Sequence, residues 1–193
     1  MRGYFGIGVE GISKAMNIGS IFRTAHAFNA SFVFTVGAAY PVEEGGKADT
    51  SNSLNHTPFY EFPDQQTLML PKKCTLVGIE LIEDSIELPS FRHPTRAAYV
   101  LGPERNSLSQ DMVSLCEYVV RIPMQFCVNV SIAAAIVMYD RVQSMGRFQR
   151  RPERPGGPID EKDKPLFGEP RFRSKAKEYL SKPPIQVHPK DHD

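Results

Sequence analysis

At 193 residues, 41% apolar and 23% charged, the chain has enough material for one substantial core and the balance of an ordinary globular protein. The longest uncharged run of the back half, residues 122–139, is broken by Pro123, Gln125, Asn129 and Ser131, which excludes a membrane span. Cys74, Cys116 and Cys127 are odd in number and far apart, which argues against a disulfide framework or CxxC chemistry and leaves buried thiols as the expectation.

The opening residues Met1–Phe5 enter a strand pattern directly, without the basic start and apolar core of a signal peptide, so a cytoplasmic location is expected. A net charge of +1 hides an asymmetry: residues 1–145 carry a balance of −3 and residues 146–193 one of +4. That basic end also holds 8 of the 16 prolines and reads as an extended, partly disordered arm. The expected organisation is therefore a domain over residues 1–146 and an arm over 147–193.

Tyr4–Glu10 alternates as a strand, and Gly11 turns the chain after it. Gly6, Gly8 and Gly11 spell a dinucleotide fingerprint. That chemistry needs a full strand before it and an acidic residue about 20 positions on, and no Asp or Glu lies between Glu10 and Glu43. From Asn17 to Phe28 the apolar residues Ile18, Ile21, Phe22, Ala25 and Phe28 keep helical spacing, with Asn17 expected as N-cap and Arg23 on the opposite, exposed face. Phe32–Val36 is the next strand, and residues 38–62 read as a long surface loop carrying a short strand at Pro58–Glu61. Asp64–Leu70 is expected to form a brief helix ended by Pro71.

Cys74–Leu81 and Arg96–Leu101 are further strands, Ser109 caps a helix over Gln110–Cys116, and Tyr118–Ile122 is a buried strand. A tight polar loop follows, then a helix that either Asn129 or Ser131 can cap, with Ala133–Ala135 forming a thin wall. Free loop amides and carbonyls beside such a helix suit a flat, polar small molecule. Alternating strands and helices imply a mainly parallel sheet covered by helices on both faces.

Three stretches now stand in order: Asn17-Ile-Gly-Ser-Ile-Phe-Arg23, Leu101-Gly-Pro-Glu104-Arg-Asn-Ser-Leu108, and Ile122-Pro-Met124 with Val128-Asn129-Val-Ser131. Together they resemble the signature motifs of the SpoU-type (TrmH-like) ribose 2′-O-methyltransferases of the SPOUT superfamily, over about residues 4–145. The resemblance implies an α/β SPOUT-type fold with a C-terminal deep trefoil knot. It also implies S-adenosylmethionine as cofactor, tRNA or rRNA as substrate, and a homodimer in which motif one of one subunit serves the pocket of the other. Two positions depart from the family pattern: Ser107 stands where glycine is usual, and Cys127-Val128-Asn129 where Ser-Leu-Asn is usual.

Carried over residue by residue, the resemblance makes Arg23, Asn17, Glu104 and Asn129 the catalytic group. Ile79, Leu101, Gly102, Ile122, Met124, Cys127, Val128 and Ser131 become the cofactor-binding set. A ribose hydroxyl is a poor nucleophile at neutral pH, so its proton must be taken or shared as the bond forms. A guanidinium is effectively always protonated, which suits Arg23 to binding a phosphate and stabilising a developing alkoxide; Glu104 can orient its neighbours or receive the proton. Arg147, Arg150 and Arg151, with Arg23, are the expected phosphate contacts, and Phe148 and Phe172 the expected stacking aromatics. No metal is expected: His188 and His192 are separated by Pro189 in a non-helical context. A catalytically inert SPOUT-fold RNA-binding protein and an unrelated nucleotide-binding α/β enzyme are the alternatives.

Overall fold

A computed structural model of the chain describes residues 3–39, 57–103, 106–146, 148, 151–152 and 155–157. By contact density the chain divides into a unit Met1–Phe148 and a unit Gln149–Asp193. The first is a seven-stranded sheet made of β1 Tyr4–Glu10, β2 Phe32–Val36, β3 Phe59–Phe62, β4 Thr75–Ile79, β5 Ile86–Glu87, β6 Arg96–Leu101 and β7 Tyr118–Arg121. Their order across the sheet is β3-β2-β1-β6-β4-β7-β5. Every pairing among the described strands is parallel, so the expected "mainly parallel" sheet is parallel throughout. Among the described residues, α1 Ala15–Ala27 connects β1 to β2, α2 Gln110–Leu115 connects β6 to β7, and α3 Val130–Met145 follows the last strand.

Alternation along the strands sorts the side chains into two cores. On β6, Ala97, Tyr99 and Leu101 face one side with Phe5, Ile7 and Val9 of β1, beneath Ile18, Ile21 and Phe22 of α1 and Ala134, Val137 and Met138 of α3. Ala98 and Val100 face the other side with Phe32, Phe34 and Val36, covered by Leu108 and Met112 at α2. The period-2 strands and 3.6-period helices thus meet as a three-layer α/β unit.

Gly6 and Gly8 belong to this packing and to no dinucleotide loop. A Cβ on Gly6 would lie 2.2 Å from the Phe32 ring, and one on Gly8 2.5 Å from the Phe34 ring. Both glycines let aromatic rings of β2 lie flat against β1, which is a close approach only glycine permits.

Several expectations are corrected. Asn17 is not the N-cap of α1: the helix begins two residues earlier, Lys14 holds the cap position, and Asn17 is a buried residue within the helix. Asp64–Leu70 is a turn: the Asp64 carboxylate accepts from the Thr67 backbone N–H at 2.8 Å, the Thr67 hydroxyl accepts from the Asp64 N–H, and with Pro71 so close no further turn propagates. The strand expected over Cys74–Leu81 is shorter, and Leu81 is exposed. The strand expected over Tyr118–Ile122 is buried only in part, since Tyr118 at its start is exposed. The cysteines are not all buried: Cys74 and Cys116 are half-buried and Cys127 is exposed. No helix among the described residues is long and apolar enough to cross a membrane.

Opposite the loops discussed next, at the start of β6, lies a buried polar network. Arg141 of α3 is fully buried, donates to the Tyr99 hydroxyl at 2.9 Å and to the Pro94, Thr95 and Tyr4 carbonyls, and lies over the Phe5 ring. Because Tyr99 accepts from Arg141, its own proton goes to His93 Nδ1 at 2.6 Å, and His93 Nε2–H donates to Asp140 at 2.9 Å. Burial is the dominant influence on His93 and pushes its pKa down, outweighing the Asp140 carboxylate that pulls it up.

Candidate active site

The carboxyl ends of β4, β6 and β7 open onto a cavity of about 540 Å³, within the roughly 300–1,000 Å³ typical of small-molecule sites. Ligands of open parallel sheets sit at this end because the loops leaving the strands supply free backbone groups there. Its apolar lining is Ile79, Leu101, Ile122, Val128, Val130 and Ala133, and its polar lining includes Lys14, Glu80, Asn106, Ser107 and Gln125.

Two hydrogen-bond systems hold the walls. Asn129 caps α3: its Oδ1 accepts from the Ser131 N–H at 2.9 Å and the Ser131 hydroxyl at 2.7 Å. Its Nδ2 then donates to Asn17 Oδ1 at 3.1 Å, fixing both amides and tying the first turn of α1 to that of α3 across 112 residues of sequence. Glu80, at the end of β4, accepts from the Leu108 N–H at 2.7 Å through one oxygen and the Leu81 N–H at 2.9 Å through the other. It thereby fastens the loop after β6 to the end of β4. Gly102 sits inside this fastening, where a Cβ would come within 2.9 Å of Leu108 N and 3.3 Å of Glu80 Oε2.

A parallel device stands behind the loop. Glu10, buried at the end of β1, accepts from the Ser109 N–H at 2.8 Å, the Ser109 hydroxyl at 2.6 Å and the Gln65 amide. Ser109 in turn caps α2. Neither Glu10 nor Glu80 carried a sequence signal beyond an acid at a strand end, because their partners are backbone amides of remote loops.

Seven of the eight expected cofactor-binding residues, Ile79, Leu101, Gly102, Ile122, Met124, Cys127 and Val128, line the one cavity. Ser131 does not; its hydroxyl is spent on Asn129. Asn129 lines the cavity and Asn17 is joined to it, whereas Arg23 is exposed on α1 and outside the lining. Ser107 lines the cavity without strain, since Asn29 and Lys73 are the non-glycine residues with positive φ among those described. Glu104, Arg147, Arg150, Phe172, His188 and His192 lie outside the described residues. Arg151, in the second unit, and Phe148 are exposed. Among the described residues no group of three or more His, Cys, Asp or Glu side chains is gathered as a metal site.

The profile described as the SpoU rRNA Methylase family matches residues 5–139. The chain belongs to that family. Among curated proteins it is 28% identical over 146 residues to the mouse tRNA (guanosine(18)-2′-O)-methyltransferase TARBP1, covering 70% of this chain and 9% of that protein. It is 27% identical over 147 residues to an uncharacterized tRNA/rRNA methyltransferase of Archaeoglobus fulgidus, covering 71% of this chain and 63% of that one. The chain thus spans less than two thirds of both relatives. Among solved structures, the SpoU methyltransferase AviRb of Streptomyces viridochromogenes in complex with AdoMet aligns over 74% of this chain and 61% of its own, at 26% identity and a TM-score of 0.66.

Proposed function

We propose that this SpoU-family protein is an S-adenosylmethionine-dependent RNA methyltransferase that modifies a ribose 2′-hydroxyl of tRNA or rRNA. The observation that carries the reading is the Asn17–Asn129 amide bridge. It brings motif one to motif three at the mouth of a cavity whose remaining walls are motif two and the strand ends. The cavity also fits the cofactor: an apolar floor for a flat ring system, the backbone of Gly102, which carries no side chain of its own, and the volume of a small-molecule site. The AdoMet complex of AviRb supports the same choice. The activity for which the mouse relative is named supports a ribose hydroxyl as acceptor.

S-adenosylmethionine, when bound, supplies an electrophilic methyl group on a sulfonium. The chain's own residues do the rest. Ile79, Leu101, Ile122 and Val128 exclude water from the floor. Glu80 holds the loop after β6 closed over it. Asn17 and Asn129, each oriented by the other, position the sugar; positioning supplies much of the rate in an in-line displacement. Arg23 binds the adjacent phosphate and stabilises the alkoxide, and Glu104 orients its neighbours or receives the proton.

Arg23 stands outside the cavity of its own chain, and Met16, Ile132 and Tyr139 are exposed apolar residues on α1 and α3. Both features support a homodimer that pairs these helices and delivers Arg23 to the partner's cavity. The strand order, in which β7 enters between β4 and β5, supports a trefoil knot closed by the segment between β7 and α3. Residues 1–146 then form the catalytic domain, and the basic arm 147–193, through Arg147, Arg150 and Arg151, adds phosphate contacts in a cytoplasmic enzyme.

The test is methyl transfer by the purified protein from labelled S-adenosylmethionine to tRNA and to rRNA, followed by mass spectrometry of the digested nucleosides. The expected product is a 2′-O-methyl nucleoside, lost in Arg23→Ala. A base-methylated product, or binding of NAD with no binding of S-adenosylhomocysteine, overturns the reading. Absence of transfer together with RNA binding favours the inert RNA-binding protein, which the loss of a hydroxyl at Cys127 makes the specific competitor.

A further inference from the structure

The cavity lining holds one aromatic ring and two charged side chains among the described residues, and they are not equivalent. Glu80 is committed through both oxygens to backbone amides. Lys14 is exposed, and no ion pair among the described residues engages it. Phe126 is 87% exposed while still bordering the cavity, so its ring stands at the open side, away from the apolar floor.

Neither residue is explained by stability. Lys14 occupies the N-cap position of α1, where it makes no capping hydrogen bond and where Ser, Thr, Asp or Asn would serve better. The first turn of α1 also carries no acidic residue, so the positive helix end and the ammonium add at one place. Phe126 leaves nearly its whole ring in water on the loop between β7 and α3.

Resting on the function proposed above, we propose that Lys14 and Phe126 seat the RNA nucleotide at this rim, with the base stacked on the Phe126 ring and a neighbouring phosphate held by Lys14. A ring this exposed to solvent suits an unstacked base of any identity, since every base has a π-face. A flexible ammonium suits a phosphate, which fixes register without reading sequence. The pair therefore selects single-stranded or splayed-out RNA and leaves base identity unread at this position.

The test uses the full chain saturated with S-adenosylhomocysteine and a fluorescein-labelled single-stranded RNA of mixed sequence, followed by anisotropy. Phe126→Ala is expected to weaken RNA binding on the order of tenfold, with Phe126→Trp restoring it. Lys14→Met is expected to lower the slope of log affinity against log salt by about one. Calorimetry should find S-adenosylhomocysteine binding unchanged in both variants. Unchanged RNA affinity in both variants overturns the assignment. Equal loss of S-adenosylhomocysteine binding in Phe126→Ala makes the ring a cofactor cover and also overturns it, as does a dimer that falls to monomer in that variant on gel filtration. If the unmodified chain binds RNA but transfers no methyl group, the enzymatic reading fails and the rim is still decided by Phe126→Ala. If it methylates RNA and both variants match it, the rim assignment alone fails; if it binds no RNA, both fail.

Discussion

Glu80 and Asn129 are the two side chains on which the cavity's shape depends, and each can be removed without emptying a core. Glu80→Gln keeps the size but replaces one acceptor oxygen with a donor, so either Leu108 or Leu81 loses its partner. Hydrogen bonds to charged groups contribute about 1.5–3 kcal/mol, so affinity for S-adenosylhomocysteine should fall roughly tenfold or more, readable by calorimetry. Asn129→Ala removes a helix cap and the bridge to Asn17; the cap alone predicts a loss of about 1 kcal/mol in urea unfolding. Methyl transfer should fall much further than that stability loss explains. His93 gives a pH signature of a different kind. Its folded-state pKa is lowered by burial, so between that value and the ordinary value of about 6.5 the unfolded chain binds more protons. Stability is therefore complete above about pH 6.5 and declines as the pH falls through that window, which urea midpoints between neutral and mildly acid pH will report; His93→Gln should flatten the decline. The residues of this paragraph were unequally legible. Asn129 advertised itself by capping chemistry next to an alanine-rich run, whereas Asn17 looked like a cap because its true partner is 112 residues away.

Strands β1, β2 and β6 begin and end where their apolar runs predict, because each is bounded by a turn or polar residue; β2 and β6 contribute buried side chains to both cores, and β1 to one, with Gly6 and Gly8 on its other face. Local pattern failed where a tertiary contact or a short-range side-chain bond decided the backbone. The Asp64–Thr67 exchange imitates the start of a helix and stops there, and β5 is a pair of exposed residues that pattern cannot register. Gly6 and Gly8 were ambiguous for the same reason: a glycine spacing says that backbone approaches something closely, and only packing says what. Gly8→Ala should therefore destabilise the sheet by about 1–3 kcal/mol through overpacking against Phe34, lowering the melting temperature while leaving the amides of the cavity in place. Calorimetric melting of the variant checks this, and an unchanged melting temperature would contradict the close approach.

At the scale of the molecule, the exposed position of Arg23 makes a prediction that no single subunit can satisfy. In a two-fold dimer with sites shared between subunits, Arg23→Ala and Asn129→Ala are each inactive but complementary. Mixed and allowed to exchange, they should regain about a quarter of the normal rate, because half the dimers are mixed and each of those has one intact site. Recovery of nothing would place each site within one chain. The parallel character of the sheet was legible from alternating elements, but its strand order, including the insertion of β7 between β4 and β5, was not, since no local signal encodes which neighbour a strand takes.

That insertion governs when a working pocket first exists. A growing polypeptide leaving the ribosome can pair β1 with β2 early, yet it lacks the floor strand β7 and the roof helix α3 until residues near 145 have emerged. The wall built on Val128–Ala133 is tied to α1 by the bridge between Asn17 and Asn129, so synthesis that stalls before that point leaves a sheet with an incomplete crevice, and small-molecule protection against proteolysis appears only in chains carried through the last helix.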